Sequence, residues 1–218
     1  MRTTERLRKL KQWISANLCE GRKMKAPGDK MDLRDIRTQV PKCYLAWRPS
    51  RTNTAPRSQA EEEQIEISTI PSILIMPNAS KARDMEEKRF DRYNGVHRPP
   101  ELGQTLAVSL LFSVYEPGTR LDGYAKSGEI ALLEEGTEQG LFTLYDWMDD
   151  CLELLLKEKC VPGTDMYVQD ATIAYSLYTD QSFVVDRRPI YYGFVNVIFG
   201  CYTNVGDDST INNILDNE

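Results

Sequence analysis

An alternating run of apolar side chains between residues 106 and 115 constrains the fold more than any other feature of this chain. Glu116, Pro117 and Gly118 follow it and are typical of a turn that ends a strand. In an extended strand, successive side chains point to opposite faces, so every second residue shares a face. The shared face here is wholly apolar: Leu106, Val108, Leu110, Phe112 and Val114. The pattern therefore predicts a strand with one buried face, which needs neighbouring strands and a covering layer to be stable.

Four further segments are rich in aromatic, β-branched and other apolar residues, and each predicts a strand. They are residues 42–48, 70–77, 166–178 and 189–202. Pro71 and Pro77 have no N–H to donate to a sheet, which favours positions at a strand end or on an edge. The connection between the last two segments favours their antiparallel pairing.

Two segments show the spacing of amphipathic helices. Residues 3–20 place one apolar stripe on a helical face, and Gly21 is a plausible stop. The stripe consists of Leu7, Leu10, Trp13, Ile14 and Leu18, and the opposite face is assigned Arg6, Arg8, Lys9, Lys11 and Glu20. Residues 139–159 predict a longer helix with a broad apolar face, an acidic outer face and a stop at Pro162-Gly163.

Strands accompanied by a few helices predict an α+β fold and not a doubly wound parallel sheet. We expect a mainly antiparallel sheet of about four to five strands. An N-terminal amphipathic helix and the long helix should pack on it. A single domain should span residues 1–205, with polar insertions at 49–66 and 78–101, followed by an acidic C-terminal tail over 206–218.

Charge is distributed very unevenly along the chain. The first 100 residues hold 21 of the 27 Lys and Arg and 13 of the 33 Asp and Glu, a net charge of +8. Residues 101–218 carry −14. Such asymmetry bears on partners and not on fold, because separate charged surfaces can bind a polyanion or a second copy of the chain. Four cations occur within nine residues at Arg22, Lys23, Lys25 and Lys30, and we predict that they lie in a basic surface loop over residues 22–30.

The sequence offers no motif for catalysis. It contains no glycine-rich phosphate loop, nucleophile elbow or zinc-protease motif, and His97 is its single histidine. The five cysteines have irregular spacing and predict reduced, buried thiols. No run of about 18 apolar residues predicts a membrane span. We therefore expect a protein that is not an enzyme, with no cofactor, no bound metal and no membrane contact.

The order of elements, with a Leu/Trp-rich N-terminal helix, resembles the tail terminator (tail-completion) proteins of long-tailed bacteriophages and related phage-tail-like particles. The likeness is carried by the helix over 141–157 and the late strand over 189–197. It implies a ring, usually a hexamer, that caps the tail tube and joins it to the neck. The implied partners are further copies of the chain, the tail tube, and neck or sheath proteins. The implied location is the virion, after assembly in the host cytoplasm.

Two alternatives remain beside a tail terminator. One is another neck or baseplate component of the same kind of particle. The other is a nucleic-acid-binding module that uses the basic first half, although the acidic balance of the chain predicts at most incidental DNA contact. The candidate assembly interface consists of Arg22, Lys23, Lys25, Lys30 and Trp13.

Overall fold

The computed structural model describes residues 1–27, 36–47, 69–78, 81–84, 102–117, 127–180, 183–184 and 189–203. The predicted insertion over 49–66 and the predicted tail over 206–218 lie outside these residues, as do Lys30 and His97. Of the predicted insertion over 78–101, residues 78 and 81–84 are described.

The described elements comprise two long helices and eleven strands. In chain order they are α1 (Thr3–Ile14), β1 (Met24–Pro27), β2 (Ile36–Gln39), β3 (Lys42–Leu45), β4 (Ser72–Pro77), β5 (Lys81–Asp84), β6 (Leu102–Tyr115), α2 (Ser127–Lys157), β7 (Met166–Val168), β8 (Ala174–Leu177), β9 (Thr179–Asp180), β10 (Phe183–Val184) and β11 (Ile190–Thr203). A π-helical turn over Ser15–Cys19 extends α1, and a 3₁₀ turn over Asp170–Thr172 separates β7 from β8.

A seven-stranded sheet forms the centre of the fold. Its main path runs β3-β4-β6-β11-β7, with β5 beside β6 and β8 beside β11. β3 and β4 are parallel, and the other pairings are antiparallel. The predicted mixed α+β class with a mostly antiparallel sheet is confirmed. The sheet has seven strands and not four or five, partly because the 3₁₀ turn divides the predicted strand over 166–178 into β7 and β8.

The apolar face of β6 is buried as its alternation predicts, and all five of its apolar residues belong to the main core. β6 pairs with β11 along the full length of both strands, from Leu102↔Thr203 to Tyr115↔Ile190. Gly193 on β11 allows α2 to approach closely, because a Cβ at this position would lie 2.6 Å from the sulfur of Met148. The helices cover this face of the sheet and complete the core.

Trp147 of α2 ties three elements together. Its side chain is fully buried, and its ring meets Phe112 of β6 edge-on, with centroids 5.2 Å apart and an interplanar angle of 82°. Its indole Nε1–H donates a hydrogen bond of 2.9 Å to the carbonyl of Leu18, in the turn after α1. The helix, the sheet and the N-terminal segment are thereby held at one point.

The predicted basic loop over 22–30 is wrong for residues 24–27, and residues 28–30 lie outside the described residues. Residues 24–27 form β1, which pairs antiparallel with β2 from Met24↔Gln39 to Pro27↔Ile36. Met24 and Ala26 alternate inward and are buried, whereas Lys25 points outward. Because the segment is rich in cations, its short alternation of buried and exposed side chains, which is the pattern of a strand, was not recognised.

We expect Trp147→Ala to lower the free energy of unfolding by about 3–5 kcal/mol, because it leaves a large cavity in the core. Trp147→Phe keeps a ring against Phe112 and should cost about 1–3 kcal/mol, since the buried Leu18 carbonyl loses its donor. Urea unfolding followed by circular dichroism measures both. Phe142→Ala, which changes an exposed ring on the same helix, should shift stability by less than about 0.5 kcal/mol. Equal losses for the two Trp147 variants would contradict the role of the ring contact.

Candidate assembly surface

Trp13, the aromatic member of the predicted interface, is buried in the described chain. It lies with Leu10 and Ile14 in the main core. Its indole Nε1–H donates a hydrogen bond of 3.0 Å to the carboxylate of Glu158, just beyond the end of α2. Leu18 follows Trp13 in the chain, but its partner Trp147 precedes Glu158. α1 and its extension therefore run antiparallel to α2. Trp13 therefore supports the packing of the two helices.

Arg22 is engaged within the chain. Its guanidinium forms an ion pair with Asp150 on α2 and lies 5.8 Å from the centre of the Trp147 ring. Burial lowers the pKa of this guanidinium from its ordinary value. This ion pair connects the segment after α1 to α2. It also leaves Arg22 less available to bind a partner protein.

Lys25 also has a partner within the chain. Its ammonium group pairs with Glu116, a buried carboxylate at the end of β6. Lys23, between the two paired cations, is exposed. The role of Lys23 in assembly stays a prediction.

A buried arginine forms an ion pair that the sequence pattern did not predict. Arg6 was assigned to the polar face of the first helix, but it is only 1% exposed. Its Nε–H donates a bond of 2.8 Å to Asp165, its Nη2 bonds the second oxygen of the same carboxylate, and its Nη1 bonds Gln104. The spacing held a signal, because residues four apart share a helical face and Arg6 precedes Leu10 by four.

This pairing shifts the pKa values of both partners. The hydrogen bonds from Arg6 lower the pKa of Asp165, and the bonds to Asp165 raise the pKa of Arg6 despite its burial. The Met1 amino group lies 3.8 Å from the same carboxylate. The start of α1 is therefore joined electrostatically to the turn before β7.

All five cysteines are free thiols. Burial raises the pKa of Cys19 and of Cys43 to about 12, and it also raises the pKa of Cys151 and Cys201. Cys160 is exposed. The prediction of reduced, buried thiols is confirmed for every cysteine except Cys160.

The helices present opposite charges to solvent. α1 exposes Arg8 and Lys9 beside one carboxylate, Glu5, whereas the outer stripe of α2 exposes several carboxylates. These carboxylates are Asp146, Asp149, Asp150 and Glu153. Both stripes belong to the helical layer over the sheet, so the charge asymmetry of the sequence becomes two separate surfaces.

Exposed apolar side chains occur at both lateral edges of the sheet. Trp47, two residues beyond β3, is 83% exposed, and Val40, just before β3, is 46% exposed. Tyr175 and Tyr178, in and just beyond β8, are 50% and 40% exposed. The edge strands β3 and β8 lie on opposite sides of the β4-β6-β11 centre.

The backbone beside Trp47 adopts a rare conformation. Ala46 has a φ of +63°, and the Trp47 N–H donates a bond of 2.8 Å to the Leu45 carbonyl. A bond from residue i+2 to residue i around a positive φ defines a strained type of γ-turn. The Ala46 N–H bonds Ile75 of β4 at 2.8 Å, which anchors the turn to the sheet. Strained conformations of this kind concentrate at functional sites.

No family model matches this chain, and no curated protein matches it. Within the described residues, no group of three or more His, Cys, Asp or Glu side chains could hold a metal ion. None of the helices in the described part of the chain is long and apolar enough to cross a membrane. The described geometry is that of a packed α+β scaffold with charged and aromatic outer surfaces.

We expect Asp165→Asn to lower the free energy of unfolding by about 3 kcal/mol near neutral pH, because the buried Arg6 charge loses its counter-ion. The loss depends on pH. Since folding depresses the pKa of Asp165, its contribution is complete above its ordinary pKa of 3.8 and disappears as pH falls through the depressed value. The difference in unfolding free energy between wild type and variant should thus be constant from pH 7 to pH 5 and shrink below about pH 4. Chemical denaturation across this range measures it.

Asp149→Asn, which changes an exposed carboxylate on α2, is the matched control and should alter stability by less than about 0.5 kcal/mol at every pH. A wild-type advantage over Asp165→Asn that persists unchanged to about pH 2 would contradict the ion-pair explanation.

We expect a thiol reagent at pH 8 to modify Cys160 rapidly in the folded protein and the other four cysteines only after unfolding. The physical reason is that the reactive species is the thiolate, which burial disfavours at these four sites. Cys160→Ser should abolish the fast phase. Rapid labelling of a second thiol in that variant, measured by mass spectrometry, would show that a core cysteine is accessible.

Proposed function

We propose that this protein is a structural virion component, a tail terminator of a phage tail or phage-tail-like particle. In this role several copies, usually a hexamer, form a ring that caps the tail tube and joins it to the neck. Its partners are then further copies of itself, the tube, and neck or sheath proteins. The ring is assembled in the host cytoplasm and retained in the virion, and it needs no active site, cofactor or membrane contact.

The observation that carries the proposal is the separation of charge on a rigid scaffold. A ring is built from heterologous contacts, in which one patch of each subunit meets a different patch of the next. Basic and acidic surfaces on one subunit suit such contacts, because opposite charges steer association and fix the register. The exposed cations of α1 with Lys23, and the exposed carboxylates of α2, supply the two signs.

A neck or baseplate component is the nearest alternative, since it would use the same basic and acidic surfaces to bind another partner. A nucleic-acid-binding module has less support. Phosphate binding needs accessible cations, whereas Arg22 and Lys25 are paired with carboxylates of the same chain. These pairs reduce the positive potential at the predicted basic group over residues 22–30.

Electron microscopy of the purified chain, alone and with tail tubes from the same particle, tests the proposal. We expect rings of uniform diameter at tube ends. Lys23→Glu should reduce the fraction of capped tubes, because it places a carboxylate on a surface proposed to meet an acidic one. Lys23→Arg, which keeps the positive charge at the same site, is the matched control and should leave capping unchanged.

The absence of rings on tubes, together with intact binding to a neck or baseplate fraction, would favour the alternative component. DNA binding at about 50 mM salt that weakens steeply at about 200 mM would favour the nucleic-acid module instead.

A further inference from the structure

We infer that copies of this chain associate edge to edge, with the β3 side of one copy against the β8 side of the next. The contact would be anchored by Trp47 on one side and by Tyr175 and Tyr178 on the other. The inference rests on the proposed function in taking the occupant of each edge to be a second copy. It goes further in adding a contact between the two sheet edges to the contact between the charged helix surfaces.

The first support is the position of the exposed aromatic residues. Groups of large apolar side chains are unfavourable when they are exposed to solvent, and such groups mark contact sites. Trp and Tyr are also the residues most enriched where binding energy concentrates. In the described part of the chain, Val40 and Trp47 flank β3, while Tyr175 and Tyr178 mark β8 at the other edge. Each edge therefore carries an aromatic anchor.

The second support is the strained turn at Ala46. The positive φ of this residue is disfavoured for a side chain with a Cβ, yet two backbone hydrogen bonds hold it. The turn directs the chain so that Trp47 projects into solvent. A conformation that is unfavourable in the free chain is understandable if the projecting ring gains a contact in an assembly.

The third support is strand direction. β3 is parallel to β4, and three antiparallel pairings then lead through β6 and β11 to β8. β8 consequently runs opposite to β3. A second copy rotated about an axis along the strands would place its β8 beside β3 in the antiparallel sense, and no described strand pairs with the outer side of either. Exposed sheet edges are templates for this kind of addition.

The fourth support is charge. Residues 40–47, which contain β3, include Lys42 and no acidic residue. Residues 165–178, which contain β8, include Asp165 and Asp170 and no Lys or Arg. Asp165 is paired with Arg6 and Asp170 with Lys159, so the complementarity is small. Its sign nevertheless favours contact between unlike edges over contact between like edges.

Cysteine cross-linking distinguishes these contacts. In a Cys160→Ser background, Val40→Cys beside β3 and Ala174→Cys in β8 would be made as separate variants, which keep Trp47 and both tyrosines, and treated with a short bis-maleimide at high protein concentration. We expect a covalent dimer when the two variants are mixed and little product from either alone. A chain carrying both substitutions should give a ladder of higher oligomers, because a heterologous contact repeats. Efficient cross-linking of Val40→Cys with itself would overturn the inference in favour of a symmetric dimer.

Self-association of the unmodified full chain gives an independent readout. Trp47→Ala and Tyr175→Ala should each raise the dissociation constant in sedimentation equilibrium by about tenfold or more. Phe142→Ala, which removes an exposed aromatic side chain from α2 and from neither edge strand, should leave it unchanged. In the wild type, hydrogen exchange of peptides spanning 42–47 and 174–178 should slow as concentration rises. Association that is insensitive to both edge variants, or a chain that stays monomeric at every concentration and on tubes, would overturn the inference.

The outcome separates this contact from the proposed function. Rings that cap tubes but tolerate both edge variants would support a tail terminator and refute the edge contact. Open filaments, or oligomers that never bind tubes, with loss of association in Trp47→Ala, would support the edge contact and refute the terminator role.

Discussion

The pairing of β6 with β11 is the interaction on which the rest of this structure depends. The two strands are hydrogen-bonded along their full length at the centre of the sheet, and their shared apolar face is the platform for both helices. α2 packs on this platform through Trp147, which also holds the segment after α1 through the Leu18 carbonyl. Burial of such a face is the main favourable term in folding, so the position of each outer surface follows from this central pairing.

Polar contacts at the margins of the core then determine which charges remain for partners. Arg6, Arg22 and Lys25 each pair with a carboxylate far away in sequence, and these pairs join the basic first half to the acidic second half within one chain. Part of the opposite charge of the two halves is thus neutralised by ion pairs within the chain. The remainder lies on α1, Lys23 and α2, and it is this remainder that supports an assembly role more strongly than phosphate binding.

Sequence patterns predicted the elements whose signal is local and long. The alternation over 106–115 and the apolar content of 189–202 correspond to β6 and β11, and the helical spacing over 139–159 corresponds to the second part of α2, which ends at Lys157. Short strands were missed or merged, because four residues such as those of β1 show little periodicity and are stabilised by a partner distant in sequence. The exposed aromatic side chains at the two edges were not predicted for a related reason. The order of strands in the sheet decides which strand lies at an edge, and local sequence does not give that order.

By itself, the amino-acid sequence determined the α+β class, the buried face of β6 and the opposite charges of the two halves, because periodicity and composition act over a few neighbouring residues. Only the tertiary structure decided that Arg6 is buried, that Arg22 and Lys25 are paired, and that Trp47 and Tyr175 are exposed at opposite edges. Burial and pairing depend on contacts between residues up to 159 positions apart, as in the bond between Arg6 and Asp165. Chain folding creates such contacts, and local spacing gives at most a partial signal of them, as the four-residue interval from Arg6 to Leu10 does.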